Sequence, residues 1–269
     1  MEDFLYNDLK SKRILIIGSA SGHGAFFAKK FFEIGATPIL VDIDNDIDNF
    51  AKSISQELKG YSLDVRDPNV FKVLAKEIDG PLHGIIYNPR ARIRKAFLEI
   101  ESRDLDTEYQ IGLRGACLAS QALLSHLAKQ SEEHPFIILI SSVLSHSIGN
   151  ENVGYHTSKA GIDHLTRYLA VELGKYKIRV NAVAPGWVVK QEHEKLFESQ
   201  GNEKYRKLVE DSHAINQRGN SQDIFEAIAF LSSKRSRFIT GQIINVDGGV
   251  NLKEPSHFLL STLQDWKII

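Results

Sequence analysis

At 269 residues the chain has room for one large α/β domain, and 42% hydrophobic with 25% charged residues is the balance of an ordinary soluble globular protein. A formal net charge of −1 gives no ground for nucleic acid or an acidic membrane surface as a partner. The single cysteine, Cys117, excludes an internal disulfide framework and suits a reducing cytoplasm; it is expected to pack a helix rather than act as a nucleophile. The start Met1-Glu2-Asp3 lacks the basic, then apolar, pattern of a secretory signal, and no apolar run approaches the roughly 18–20 residues that span a bilayer. A cytoplasmic protein is expected.

Along the chain, strand signals fall near 13–17, 38–42, 60–63, 83–87, 135–141, 177–183 and 242–246. Helical stretches lie between them near 23–34, 47–58, 69–78, 104–130, 153–174 and 221–232. Such alternation predicts a doubly wound, seven-stranded parallel sheet in a three-layer α/β/α domain, with ligands at the carboxyl ends of the strands.

The first strand runs into Gly18-Ser19-Ala20-Ser21-Gly22-His23-Gly24 and then a helix. A strand, a glycine-rich turn and a helix N-terminus present backbone N–H groups to a pyrophosphate. Here Gly18 permits the turn, Gly22 a close phosphate approach and Gly24 close helix–strand packing, in the spacing G-x-x-x-G-x-G. The second strand ends in Asp42, whose carboxylate can accept from both ribose hydroxyls of an adenosine half and repel a 2′-phosphate. The bland alternative is a solvated acid among Asp44, Asp46 and Asp48. After the third strand, Asp64 either accepts from an adenine amino group or caps the helix that begins near Asp67-Pro68.

Four basic residues, Arg90, Arg92, Arg94 and Lys95, follow the fourth strand. They either face a substrate cleft, favouring an anionic substrate, or form a solvated loop or subunit contact. Ser142 ends the apolar run Phe136-Ile137-Ile138-Leu139-Ile140 plus one residue, and Tyr155 and Lys159 lie four apart on the next helix. That spacing stacks ammonium and phenol on one face, favouring phenolate; a nearby serine hydroxyl holds a substrate oxygen. The trio suits alcohol–carbonyl interconversion by proton and hydride transfer. Residues 187–219, rich in Glu, Lys, Gln, Asn and His, interrupt the alternation, and residues 251–269 form an apolar tail with Phe258, Leu260 and Trp266.

Taken together, Gly18…Gly22…Gly24, Asp42, Asp64, Asn88, Ser142, Tyr155…Lys159, Asn181, Pro185-Gly186 and Val246-Asp247-Gly248-Gly249 resemble the short-chain dehydrogenase/reductase (SDR) family over residues 10–250. The resemblance implies a Rossmann-like single domain and an oxidoreductase in which Tyr155 is general acid/base. Lys159 would lower its pKa and hold the nicotinamide ribose, and Ser142 would orient the reacting oxygen. It places the cofactor, NAD in preference to NADP, against Gly18, Ser21, Gly22, His23, Gly24, Asp42, Ile43, Asp64, Val65, Asn88, Tyr155, Lys159, Pro185, Gly186 and Val188. A small-molecule substrate would meet Ser142, Tyr155, Arg90 and Lys190, with 187–219 as its cover, and the chain would assemble as a homotetramer or homodimer. Four positions depart from the family pattern: Ile17 before the first glycine, Asn88-Pro89-Arg90 for Asn-Ala-Gly, Lys190 for a threonine, and Gly112 for the asparagine of the proton relay. The last leaves a second reading open, an NAD(H)-binding regulator with little turnover.

Overall fold

Runs of aliphatic and β-branched residues pair as strands and bury both faces, as a parallel sheet requires. The computed structural model describes residues 6–189 and 194–254, together with 256, 259 and 263. Its first half runs β1 (Arg13–Ile17), α1 (Gly22–Glu33), β2 (Thr37–Asp42), α2 (Ile47–Ile54), β3 (Gly60–Ser62), α3 (Val70–Glu77), β4 (Gly84–Tyr87) and α4 (Ser102–Glu108). Then come α5 (Gly115–Ala122), α6 (Leu124–Ala128), β5 (Phe136–Ile140), α7 (Val153–Leu173), β6 (Arg179–Pro185), β7 (Val188–Val189), α8 (Glu194–Phe197) and α9 (Glu203–Ser212). The series closes with β8 (Gly219–Asn220), α10 (Ser221–Ser232) and β9 (Ile243–Val246).

Seven strands form one parallel sheet in the order β3-β2-β1-β4-β5-β6-β9. The chain reverses its winding between β1 and β4, where Ile17 pairs with Tyr87, the kind of switch point beyond whose strand ends open sheets bind ligands. Alternate side chains of each strand feed two cores. Leu15, Ile17, Ile85 and Leu139 meet α3, α5 and α7 on one face; Ile14, Ile16, Leu40 and Ile138 meet α1, α2 and α10 on the other. Phe31 and Phe225 close the second core edge-to-face at 5.1 Å, each ring contributing about 2–3 kcal/mol through burial.

The structure corrects the helix expected over 104–130. It is broken into α4, a π-helical turn Tyr109–Arg114, α5 and α6. Two close approaches explain the turn. A Cβ on Gly112 would lie 1.9 Å from Ser158 Oγ of α7, and one on Gly115 would lie 2.1 Å from the Tyr87 hydroxyl. The Tyr87 hydroxyl donates to the Ile111 carbonyl, an acceptor that the widened turn leaves for it. Cys117 is exposed on α5 rather than packed. The charged stretch 187–219 holds a two-strand ladder, β7 with β8, and a separate small core of Val189, Phe197 and Val209. Lys190 and His193, and most of the apolar tail including Phe258, Leu260 and Trp266, lie outside the described residues. No helix among the described residues is long and apolar enough to cross a membrane.

Candidate active site

At the nucleotide end, Gly18 takes φ +82°, a left-handed conformation that a Cβ would strain. Gly24 packs its backbone so tightly that a Cβ there would come within 1.9 Å of the Gly18 carbonyl. Asn88 Nδ2 donates to that same carbonyl at 3.0 Å, tying the end of β4 to the turn after β1. Ser19, which the sequence did not single out, is fully buried and bridges both backbone groups of Val41. Asp42 stands at the end of β2 and uses its carboxylate to accept the Ala20 N–H at 2.8 Å and the Asp44 N–H at 3.3 Å. It is thus part of the turn's frame rather than a free loop acid, and Ile43 beside it is exposed.

The remaining nucleotide-end residues divide. Ser21 precedes α1 without capping it; instead its hydroxyl accepts from Arg92 Nη2 at 3.2 Å. His23 Nδ1 meets the Ser221 hydroxyl at 3.0 Å, joining α1 to α10. Asp64 does not cap a helix: Arg66 grips it through Nε and Nη2, one edge of the guanidinium, at 2.6–3.0 Å and holds its carboxyl below the usual range. Val65 is half-buried against the core. Gly186 follows β6 and packs on Asp247, where a Cβ would lie 2.6 Å from that residue's Cβ. Val188 leaves the site to pair with Gly219. Asn181, fully buried, bonds the Ile239 carbonyl and the Gln242 N–H, a tie between β6 and the approach to β9.

At the catalytic end, Ser142 and Tyr155 meet beside the carboxyl end of β5. Ser142 Oγ accepts the Leu144 N–H at 3.2 Å, and its hydroxyl lies near enough to the phenol to favour the ionised form. Tyr155 is held from behind by Asn152, whose side-chain oxygen accepts the Tyr155 N–H at 3.0 Å and caps α7. Asn152 is oriented in turn by donating to the Ile93 carbonyl and to buried Glu108 at 2.9 Å. Sequence reasoning passed over Glu108 and Asn152, because neither lies in a motif. Lys159, one turn along α7, donates to the Ile140 carbonyl at 2.6 Å, with Nζ 5.6 Å from the Tyr155 ring centre.

The electrostatics differ from the simple expectation. Burial raises the Tyr155 phenol above the ordinary tyrosine value, against the opposing effects of the nearby Ser142 hydroxyl and the positive charge of Arg90. Lys159 is not the charge that acts most on it. Burial, followed by Arg90's like charge, lowers the ammonium of Lys159 to about 8, while Glu108 and Asp163 oppose that fall. Glu108 itself is pushed above the usual carboxyl range, again chiefly by burial.

The basic loop after β4 does not act as one patch. Arg90 lies 4.9 Å over the Tyr155 ring and pairs with Glu151 at 3.0 Å. Arg92 points the other way, to Ser21. Lys95 is held by Asp104 at 2.7 Å and Glu101 at 3.3 Å, a structural tie to α4, and Arg94 is exposed. Gly112 leaves room for Ser158, whose hydroxyl donates to the Glu108 carbonyl at 3.2 Å. An asparagine there would first have to displace that hydroxyl.

Residues 18–251 match the family model described as Enoyl-(Acyl carrier protein) reductase, which lies within the SDR family. The chain is 29% identical over 249 residues to the 3-oxoacyl-[acyl-carrier-protein] reductase FabG of Thermotoga maritima, covering 90% of this chain and 98% of that one. It is 30% identical over 256 residues to oxidoreductase UcpA of Salmonella typhimurium, covering 91% and 97%. In three dimensions it resembles the L-sorbose reductase of Gluconobacter frateurii, solved with NADPH and L-sorbose, at TM-score 0.82 and 21% identity, over 93% of this chain and 100% of that one. With this fold, this order of motifs and these relatives, the chain belongs to the short-chain dehydrogenase/reductase family of oxidoreductases.

Proposed function

We propose that the protein is an NAD(H)-dependent oxidoreductase that interconverts a secondary alcohol and a ketone, with Tyr155 as general acid/base. The observation that carries this is Ser142 beside Tyr155 at the carboxyl end of β5, with Lys159 one helical turn away and the glycine turn at the carboxyl end of β1, two strands along the same sheet. The residues present suit a dinucleotide: Gly18 and Gly24 leave no space for side chains at the turn, and α1 opens there with its first N–H groups. Bound there, the nicotinamide would give or take the hydride.

Tyr155 would hold the substrate oxygen and exchange its proton; Ser142, beside the phenol, would share that oxygen. Lys159 would steady the phenolate when the proton leaves and hold the nicotinamide ribose. We assign NAD rather than NADP to Asp42, a carboxylate fixed where a 2′-phosphate would be repelled. The relatives solved with NADPH, or with NADP as in the gluconate 5-dehydrogenase of Burkholderia cenocepacia, set that preference for themselves alone. Arg90 over Tyr155 favours an anionic substrate, with Lys190 as a second candidate contact. Exposed Leu105, Tyr109, Tyr168 and Val171 on the helical layer favour assembly into a homodimer or homotetramer.

A second reading, an NAD(H)-binding regulator, draws support from the raised phenol, from Lys159 turned to a backbone carbonyl, and from Gly112. Nicotinamide absorbance followed across alcohols, hydroxy acids and sugars separates the two. Turnover supports the enzyme, and tight NADH binding without turnover supports the regulator.

A further inference from the structure

We infer that Arg90 is the receptor for a carboxylate carried next to the substrate's reacting carbonyl, and that Glu151 occupies that receptor in the free protein. The proposal rests on the oxidoreductase reading above and gives it a substrate class: 2- or 3-oxo acids and the corresponding hydroxy acids.

Three features of Arg90 lead there. Its guanidinium lies over the face of the acid/base ring, 4.9 Å from ring centre to guanidinium carbon, so it borders the volume in which the substrate oxygen must sit. Its orientation is fixed along one edge, because Nε donates to the Ala91 carbonyl at 3.3 Å and the loop begins with Pro89 packed on Gly18. Beyond Nε, Nη2 holds one carboxylate oxygen, Glu151 Oε1, at 3.0 Å. The guanidinium thus already binds a carboxylate through one donor, the kind of group a substrate carboxylate would present to it.

The spacing limits the substrate. A substrate oxygen on the phenol and a carboxylate on Arg90 each sit about 2.7–2.9 Å from their protein partners. The guanidinium carbon lies 4.9 Å from the ring centre, so the two held groups belong close together on one short substrate.

Glu151 can be displaced. Its side chain is 26% exposed and that of Arg90 38%, and an ion pair that reaches solvent is held weakly. Lys95, five residues on, shows what a purely structural cation in this loop looks like: two carboxylates grip it away from the tyrosine. Arg92 is likewise committed elsewhere, to Ser21. Arg90 alone of the three has its charge at the acid/base.

The test compares kcat/KM for reduction of a 3-oxo acid and a 2-oxo acid with their methyl esters, in the unmodified protein, Arg90→Met and Glu151→Gln, with NADH binding measured alongside. We expect the unmodified protein to prefer acid over ester by about 30-fold or more. Arg90→Met should lose at least tenfold more activity on the acid than on the ester, and Glu151→Gln should lower KM for the acid by removing the competing carboxylate. Equal use of acid and ester, a parallel loss on both in Arg90→Met, or a higher acid KM in Glu151→Gln would each overturn the assignment while leaving the oxidoreductase reading intact. NADH binding with no turnover of any carbonyl would instead overturn that reading, and this proposal with it.

Discussion

Replacing Lys159 by Met should make the protein more stable and catalytically dead, and the size of the gain follows from where the lysine sits. Lys159 is 6% exposed, and burial with Arg90's charge lowers it from 10.5 to about 8. At about 1.36 kcal/mol per unit, carrying the charged form in the folded state at neutral pH costs about 3 kcal/mol relative to the unfolded chain. The sign follows from proton counts. Between pH 8 and 10.5 the unfolded chain keeps a proton the folded chain has lost, so stability rises with pH through that window and the full cost is present below it. Met removes the cost but also the hydrogen bond to the Ile140 carbonyl, worth about 1 kcal/mol. The net expectation at pH 7 is a gain of about 2 kcal/mol, or roughly 4–8 °C in Tm for a chain of this size. Urea and thermal unfolding of both proteins at pH 7 and pH 10.5 measure it. The gain should vanish at the higher pH. A variant less stable at pH 7, or one whose gain ignores pH, would show that Lys159 is not under the strain described.

Three other outcomes are expected. Asp42→Asn keeps an oxygen for the Ala20 N–H but removes the charge, so the preference for NAD over NADP should narrow by about tenfold or more in Kd; an unmodified protein that already prefers NADP would refute the assignment of Asp42. Gly24→Ala drives a methyl to within 1.9 Å of the Gly18 carbonyl and should cost about 3 kcal/mol of stability with loss of NADH binding, whereas normal binding would mean the turn is not the cradle. Difference ultraviolet titration of the unmodified protein against Tyr155→Phe, without cofactor, should show the Tyr155 phenolate forming at higher pH than an exposed tyrosine's, because burial outweighs Ser142 and Arg90. Ionisation near neutrality would reverse that balance.

The strands were legible because each is a short apolar run between breakers, and their carboxyl ends carry the motif residues. Arg13–Ile17 matches the reading from sequence residue for residue, and the last strand, Ile243–Val246, misses it by one. The break in the helix over 104–130 was hidden, since Gly112 and Gly115 act through Ser158 and Tyr87, which meet them only in space. The elements inside 187–219 were hidden for a different reason: their core is three side chains, too few to impose a period on a charged segment. In the site, Ser142, Tyr155 and Lys159 were visible by spacing. The direction of the Tyr155 shift was not, because it depends on burial and on an arginine sixty-five positions away in the chain. That arginine did leave a trace, as a departure from the glycine the family carries there. The partner of Asp64 was hidden as well, because Arg66, two residues on, takes its carboxylate only once the loop turns.

The most direct test of the account is carbonyl reduction by the unmodified protein and by Tyr155→Phe, with NADH binding measured on both. We expect binding within a few-fold of each other and a loss of about 10²–10⁴ in kcat for the variant, the worth of a positioned general acid. A variant that reduces substrate within tenfold of the unmodified protein would contradict the role given to Tyr155.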